Sequence, residues 1–104
     1  MPDIDSILED LKAEIKDAVG GKFVELILFG SYSRGDFTEY SDIDLLILVD
    51  PPLAREETRK VDDLIASYSL KHDVVISGLV YPVEIYKRFN TPFLLNVKEQ
   101  GIAI

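Results

Sequence analysis

With 104 residues and a formal net charge of −8, the chain is long enough for one core and too acidic for general nucleic-acid binding, which needs Lys and Arg to displace counterions. Cysteine is absent and histidine occurs once, so disulfides, thiolate metal sites and a histidine-built zinc site are excluded, and any metal must take oxygen ligands, which favours Mg²⁺ or Mn²⁺. Apolar residues make up 47% of the chain, yet no stretch approaches the ~20 of a membrane span, and Met1-Pro2-Asp3-Ile4-Asp5 lacks the basic and apolar regions of a secretion signal.

The expectation is therefore a single cytoplasmic domain over 1–104, with no membrane and no DNA duplex as partner. Ile4, Ile7, Leu8, Leu11, Ile15 and Val19 recur at three- and four-residue steps, which predicts an amphipathic helix over 3–19. Asp3 or Asp5 can cap its start, and Gly20-Gly21 ends it. Val24–Phe29 reads as a short apolar strand, Tyr32–Gly35 as a brief helical turn with Ser31 at its start, and residues 37–40 as loop. Ile43–Val49 is too apolar to be half exposed and reads as a central strand.

Pro51-Pro52 stops that strand and opens a helix over 53–69, with Val61, Leu64, Ile65 and Tyr68 inward and residues 55–60 solvated. His72–Ile76 reads as a third strand, extended toward Leu79-Val80. Helices over 81–89 and 92–99, broken at Asn90-Thr91-Pro92, and an edge strand at 102–104 complete the chain. The order predicts an α/β fold, a small mixed β-sheet packed by helices.

The chemistry concentrates in residues 30–44. Gly30-Ser31 follows a strand and offers backbone N–H groups and a hydroxyl, which suit phosphate oxygens. Asp42 and Asp44 stand one residue apart at the mouth of the next strand, so they share a face. Two such carboxylates repel and lose hydration, and a fold keeps them most readily around a hard cation. A phosphate cradle beside a divalent-metal site is equipment for phosphoryl or nucleotidyl transfer.

Asp73, at the head of the third apolar run, is a candidate metal ligand or base, though such an Asp alone is usually a cap or a surface charge. Arg34 can serve a phosphate or pair with Asp36, and Tyr40 could line a nucleotide pocket. His72, Tyr32 and Tyr68 read as structural. A P-loop is excluded because Asp36 stands where its Lys belongs, and the dinucleotide motif Gly-x-Gly-x-x-Gly is absent.

Phe29-Gly30-Ser31-Tyr32-Ser33-Arg34-Gly35 and Ser41-Asp42-Ile43-Asp44-Leu45-Leu46-Ile47 resemble the signature of the DNA polymerase beta-like nucleotidyltransferases, and in particular the minimal nucleotidyltransferase family. Ser33 replaces the common Ala, and Ile47 the common Val. The tail Pro92–Ile102 is also similar to the family's ending, so the resemblance spans nearly the whole chain.

The resemblance implies the polymerase beta-like core and transfer of AMP from ATP to a hydroxyl. It implies Asp42, Asp44 and Asp73 as ligands of two Mg²⁺ ions, with Asp73 also a possible base, and Gly30, Ser31 and Arg34 as the nucleotide cradle. It further implies an antitoxin whose partner is a helical HEPN-domain toxin, modified on a tyrosine, in a homo- or hetero-oligomer. Two alternatives stand beside it: an aminoglycoside-like small-molecule nucleotidyltransferase, and a non-catalytic toxin-binding module.

Overall fold

The first helix begins where the Asp3 carboxylate accepts the Ser6 N–H at 3.2 Å. In the computed structural model, which describes residues 3–38 and 41–104, this helix, α1, spans Ile4–Val19 and ends at Gly20, whose φ of 60° an L side chain resists. A short 3₁₀ turn, Gly20–Lys22, leads into β1, Phe23–Phe29. Then follow α2, Ser31–Arg34, and β2, Ile43–Val49. The helix α3, Arg55–His72, leads to β3, Ile76–Pro82. Two short helices, α4, Val83–Arg88, and α5, Pro92–Gln100, precede the edge strand β4, Ile102–Ala103.

The strands form one sheet in the order β3-β2-β1-β4. β2 pairs antiparallel with β1 and parallel with β3, while β4 runs antiparallel to β1. The apolar run 43–49 is thus an interior strand, buried on both faces as its composition requires. Leu45, Ile47 and Val49 pack beneath α1 and α3, among Leu8, Leu11, Ile15, Val61 and Ile65. Leu46 and Leu48 face the other way, against Val83 of α4 and Val97 of α5.

Several predicted boundaries move. The helix expected over 53–69 starts at Arg55, because Glu57 reaches back to accept the Ala54 N–H at 2.9 Å while also taking Lys22 Nζ at 2.6 Å. It runs on to His72, whose ring lies 5.7 Å from that of Tyr68. The strand expected at His72–Ile76 begins only at Ile76 and continues through Pro82, so α4 starts at Val83. The physical reason lies at Ser69: its carbonyl accepts the N–H groups of Asp73 and Val74, and its hydroxyl accepts that of Ile76 at 3.2 Å. These bonds hold Asp73 and Val74 in a helix ending despite the β-branched run that follows. Among the described residues no helix is long and apolar enough to cross a membrane.

Candidate active site

Antiparallel pairing of β1 with β2 sets Phe29 opposite Asp44. The place where β1 leaves the sheet is therefore the place where β2 enters it. Gly30 sits there at φ 76°, ψ −153°, a region open essentially to glycine alone. A Cβ on it would collide with Asp44 Oδ2. The Gly-Ser turn and the Asp-x-Asp pair, ten residues apart in the sequence, are thus packed against each other.

After Gly30 the chain makes the single turn of α2, closed by Gly35 in the left-handed region. The first bond of that turn runs from Arg34 N to Gly30 O at 3.2 Å. Helix geometry leaves the preceding N–H groups, those of Ser31, Tyr32 and Ser33, without an intrahelical acceptor. Ser33 Oγ donates to Gly30 O at 2.9 Å and fixes the turn. The Tyr32 ring stacks on Phe37 at 4.4 Å, a structural role as expected. Glu39 and Tyr40, and with them the reading of Tyr40 as a pocket residue, lie outside the described residues.

Side-chain alternation directs Ile43 and Leu45 into the core beneath α1 and α3, and Asp44 to the face of Leu46 and Leu48. Burial pushes the Asp44 carboxyl above its ordinary value; the charge of Asp42 adds to the rise and that of Arg34 opposes it. Arg34 Nε lies 3.3 Å from Asp36 Oδ2, with both side chains largely exposed, so this pair is weak and easily released. Arg34 therefore takes the Asp36 pairing of its two expected roles, while its charge reaches Asp44. Two repelling carboxylates at an open rim, with oxygen donors only, suit a hard divalent cation.

The third carboxylate is not assembled with them. Asp73 is exposed and stands at the C-terminal cap of α3 with φ 53°, a left-handed conformation that Asp and Asn tolerate better than most residues. The residue beside Asp44 on β3 is Ser77. Among the described residues no group of three His, Cys, Asp or Glu side chains is close enough to hold a metal. Capping and catalysis at Asp73 are separable: Asn keeps the cap and removes the charge. If Asp73 only caps, Asp73→Asn will leave both the melting temperature and the transfer rate near those of the parent. If it serves as a base, the rate will fall by about 10²–10⁴ at unchanged melting temperature.

On the carboxylate face of the sheet lies a cavity of about 460 Å³, lined by Phe29, Gly30, Arg34, Phe93, Asn96, Val97 and Gln100. Reading the sequence missed Asn96 and Gln100, since only the docking of α5 on Ile27 and Leu46 brings them to Gly30. Their four-residue spacing, beside Phe93 and Val97, was the available signal. A second groove, of about 420 Å³, lies between α1 and α3 and holds none of the motif residues.

The sequence pattern of the family described as "Nucleotidyltransferase domain" matches residues 6–101. A "putative protein adenylyltransferase" of Methanocaldococcus jannaschii is 36% identical over 98% of this chain and 99% of its own length. Among solved structures, one titled "Structure of putative minimal nucleotidyltransferase" superposes with a TM-score of 0.64 at 17% identity, covering 99% of this chain and 97% of that one. Another, described as a tri-AMPylated Shewanella oneidensis HEPN toxin in complex with an MNT antitoxin, superposes with a TM-score of 0.62 at 19% identity, covering 95% and 69%. The two structures share the fold. A family match that runs from the first helix to the last, on a chain whose two family motifs meet in space, makes this protein a member of the nucleotidyltransferase domain family.

Proposed function

We propose that the chain transfers AMP from ATP to a hydroxyl of a partner protein, a tyrosine of a HEPN-domain toxin that it thereby neutralises. The observation that carries this reading is the packing of Gly30 against the Asp44 carboxylate, which brings the Gly-Ser turn and the Asp-x-Asp pair together and supports their joint use on phosphate and cation. In the transfer a bond forms between the acceptor oxygen and the α-phosphorus. The α–β phosphoanhydride breaks, and pyrophosphate leaves with the bond's electrons.

Each residue of the site has a part in that step. Gly30 lets the backbone approach the phosphates, and the first-turn amides and hydroxyl of Ser31 donate to their oxygens. Arg34, held only weakly by Asp36, swings to the phosphate charge. Asp42 and Asp44 hold the divalent ions, proposed as two Mg²⁺, which neutralise the triphosphate and acidify the acceptor hydroxyl when bound. Asp73 is the proposed recipient of the hydroxyl proton. Most of the rate comes from positioning and charge, since little covalent chemistry falls to the protein itself.

The protein acceptor is supported by the name of the Methanocaldococcus jannaschii relative and by the subject of the Shewanella oneidensis structure. Co-expression with a HEPN-domain protein encoded beside this chain, followed by intact-mass spectrometry, is the test. The partner should gain one or more AMP units, and the gain should vanish with Asp44→Asn. A partner bound and silenced equally by Asp44→Asn, with no added mass, would make the chain a non-catalytic binding module. Modification of an aminoglycoside-like compound in place of any protein would point to the small-molecule enzyme.

A further inference from the structure

The cavity beside Gly30 is lined from two elements: Gly30 and Arg34 belong to the turn after β1, and Phe93, Asn96 and Gln100 to α5. Apolar side chains complete it. Phe29 meets Phe93 edge-on with ring centroids 5.4 Å apart, Tyr81 lies 6.0 Å behind Phe93, and Val97 is buried against Ile27 and Leu46. Arg34 is the one charged residue in this lining, although the whole chain carries a net charge of −8. A lining free of carboxylates in so acidic a protein favours an anionic ligand that has a flat, uncharged end.

Asn96 and Gln100 stand one helical turn apart on α5, so both amides look the same way. Both are exposed, and neither is hydrogen-bonded to another described residue. A carboxamide offers a donor and an acceptor side by side. That pairing matches the N6 amino group and a ring nitrogen of adenine. The O6/N7 edge of guanine presents two acceptors and calls for Arg or Lys instead. The volume falls within the range of about 300–1,000 Å³ usual for small-ligand sites.

We propose that this cavity is the nucleoside end of the nucleotide site, and that Asn96 and Gln100 are specificity-determining residues that select adenine through its amino-bearing edge, with Phe93 as the surface under the ring. The assignment rests on the nucleotidyltransferase reading, and extends it to residues outside the two family motifs. It accounts for an arrangement that packing alone leaves unexplained: α5 buries Leu94 and Val97 yet turns two unpaired amides toward the phosphate turn.

The test is titration calorimetry of the full chain with Mg²⁺ and, in turn, ATP, GTP and inorganic tripolyphosphate, for the parent and for Asn96→Ala/Gln100→Ala. Both residues are exposed, so the double variant should fold. The parent should bind ATP more tightly than GTP. The variant should lose roughly tenfold or more in ATP affinity, bring ATP and GTP to similar affinities, and bind tripolyphosphate as the parent does. A variant that keeps the full preference for ATP would overturn the base-site assignment while leaving the phosphate turn intact. A parent that binds neither ATP nor tripolyphosphate would overturn this proposal together with the catalytic reading beneath it.

Discussion

Asp44→Asn is expected to melt at a higher temperature than the parent at pH 7 and to lose nucleotide transfer by on the order of 10³-fold or more. The two effects have one origin. Folding takes the Asp44 carboxylate partly out of water and sets it near Asp42, which raises its pKa above the ordinary 3.8. A folded state that holds the proton more tightly than the unfolded one loses stability as pH rises through the interval between the two pKa values. Below 3.8 both states are protonated and the penalty is absent; above the raised value it is present in full. The gain in melting temperature from Asn should therefore be seen at pH 7 and shrink toward zero below pH 3.8.

Mg²⁺ should relieve the same repulsion, so it should raise the melting temperature of the parent, more so with ATP, and much less that of Asp44→Asn. Thermal melts at the two pH values, with and without Mg²⁺, together with pyrophosphate release, measure all of this. A variant that melts below the parent at pH 7 would show that Asp44 stabilises the fold, and the assignment of a strained, cation-dependent pair would fall.

Gly30→Val should have the next largest effect, and for two reasons that a control can separate. The backbone at φ 76°, ψ −153° is strained for any other residue, at a cost of about 1–3 kcal/mol. In addition, a Cβ would run into the Asp44 carboxylate, so the first carbon added must displace the site's own ligand. Gly35, at φ 79°, ψ 9°, has open space where its Cβ would stand. Gly35→Ala should thus cost about 1–2 kcal/mol of stability and leave ATP binding nearly unchanged. Gly30→Ala should already weaken binding strongly, and Gly30→Val should abolish it within the range of titration calorimetry. Equal binding losses in Gly30→Ala and Gly35→Ala would mean that backbone strain, and not the contact with Asp44, governs the site.

What could be read from the residues alone was what neighbours in the chain decide. The Asp3 cap, the glycine that ends α1 and the doubly buried strand 43–49 all follow from helix periodicity, strand alternation and turn chemistry. The Gly-Ser turn and the carboxylate pair were legible because each lies where a strand meets its loop, and such junctions announce themselves in composition.

Asp73 shows where that reasoning stops. Val74-Val75-Ile76 has the β-branched character of a strand, so the local pattern put Asp73 at its head; the bonds to Ser69 keep Asp73 and Val74 in a helix ending and delay the strand to Ile76, and the β2–β3 register sets Ser77 beside Asp44. The lining of the cavity was equally beyond local pattern. Asn96 lies within the helix expected over 92–99 and Gln100 just past it, and only the docking of Val97 among Ile27 and Leu46 brings both to Gly30. Alternation and periodicity act over a few residues and determined which side chains share a face of one element. Which elements meet was decided by the burial of apolar surface between segments far apart in the chain, and that placed α5 on the carboxylate face and ended α3 at Asp73.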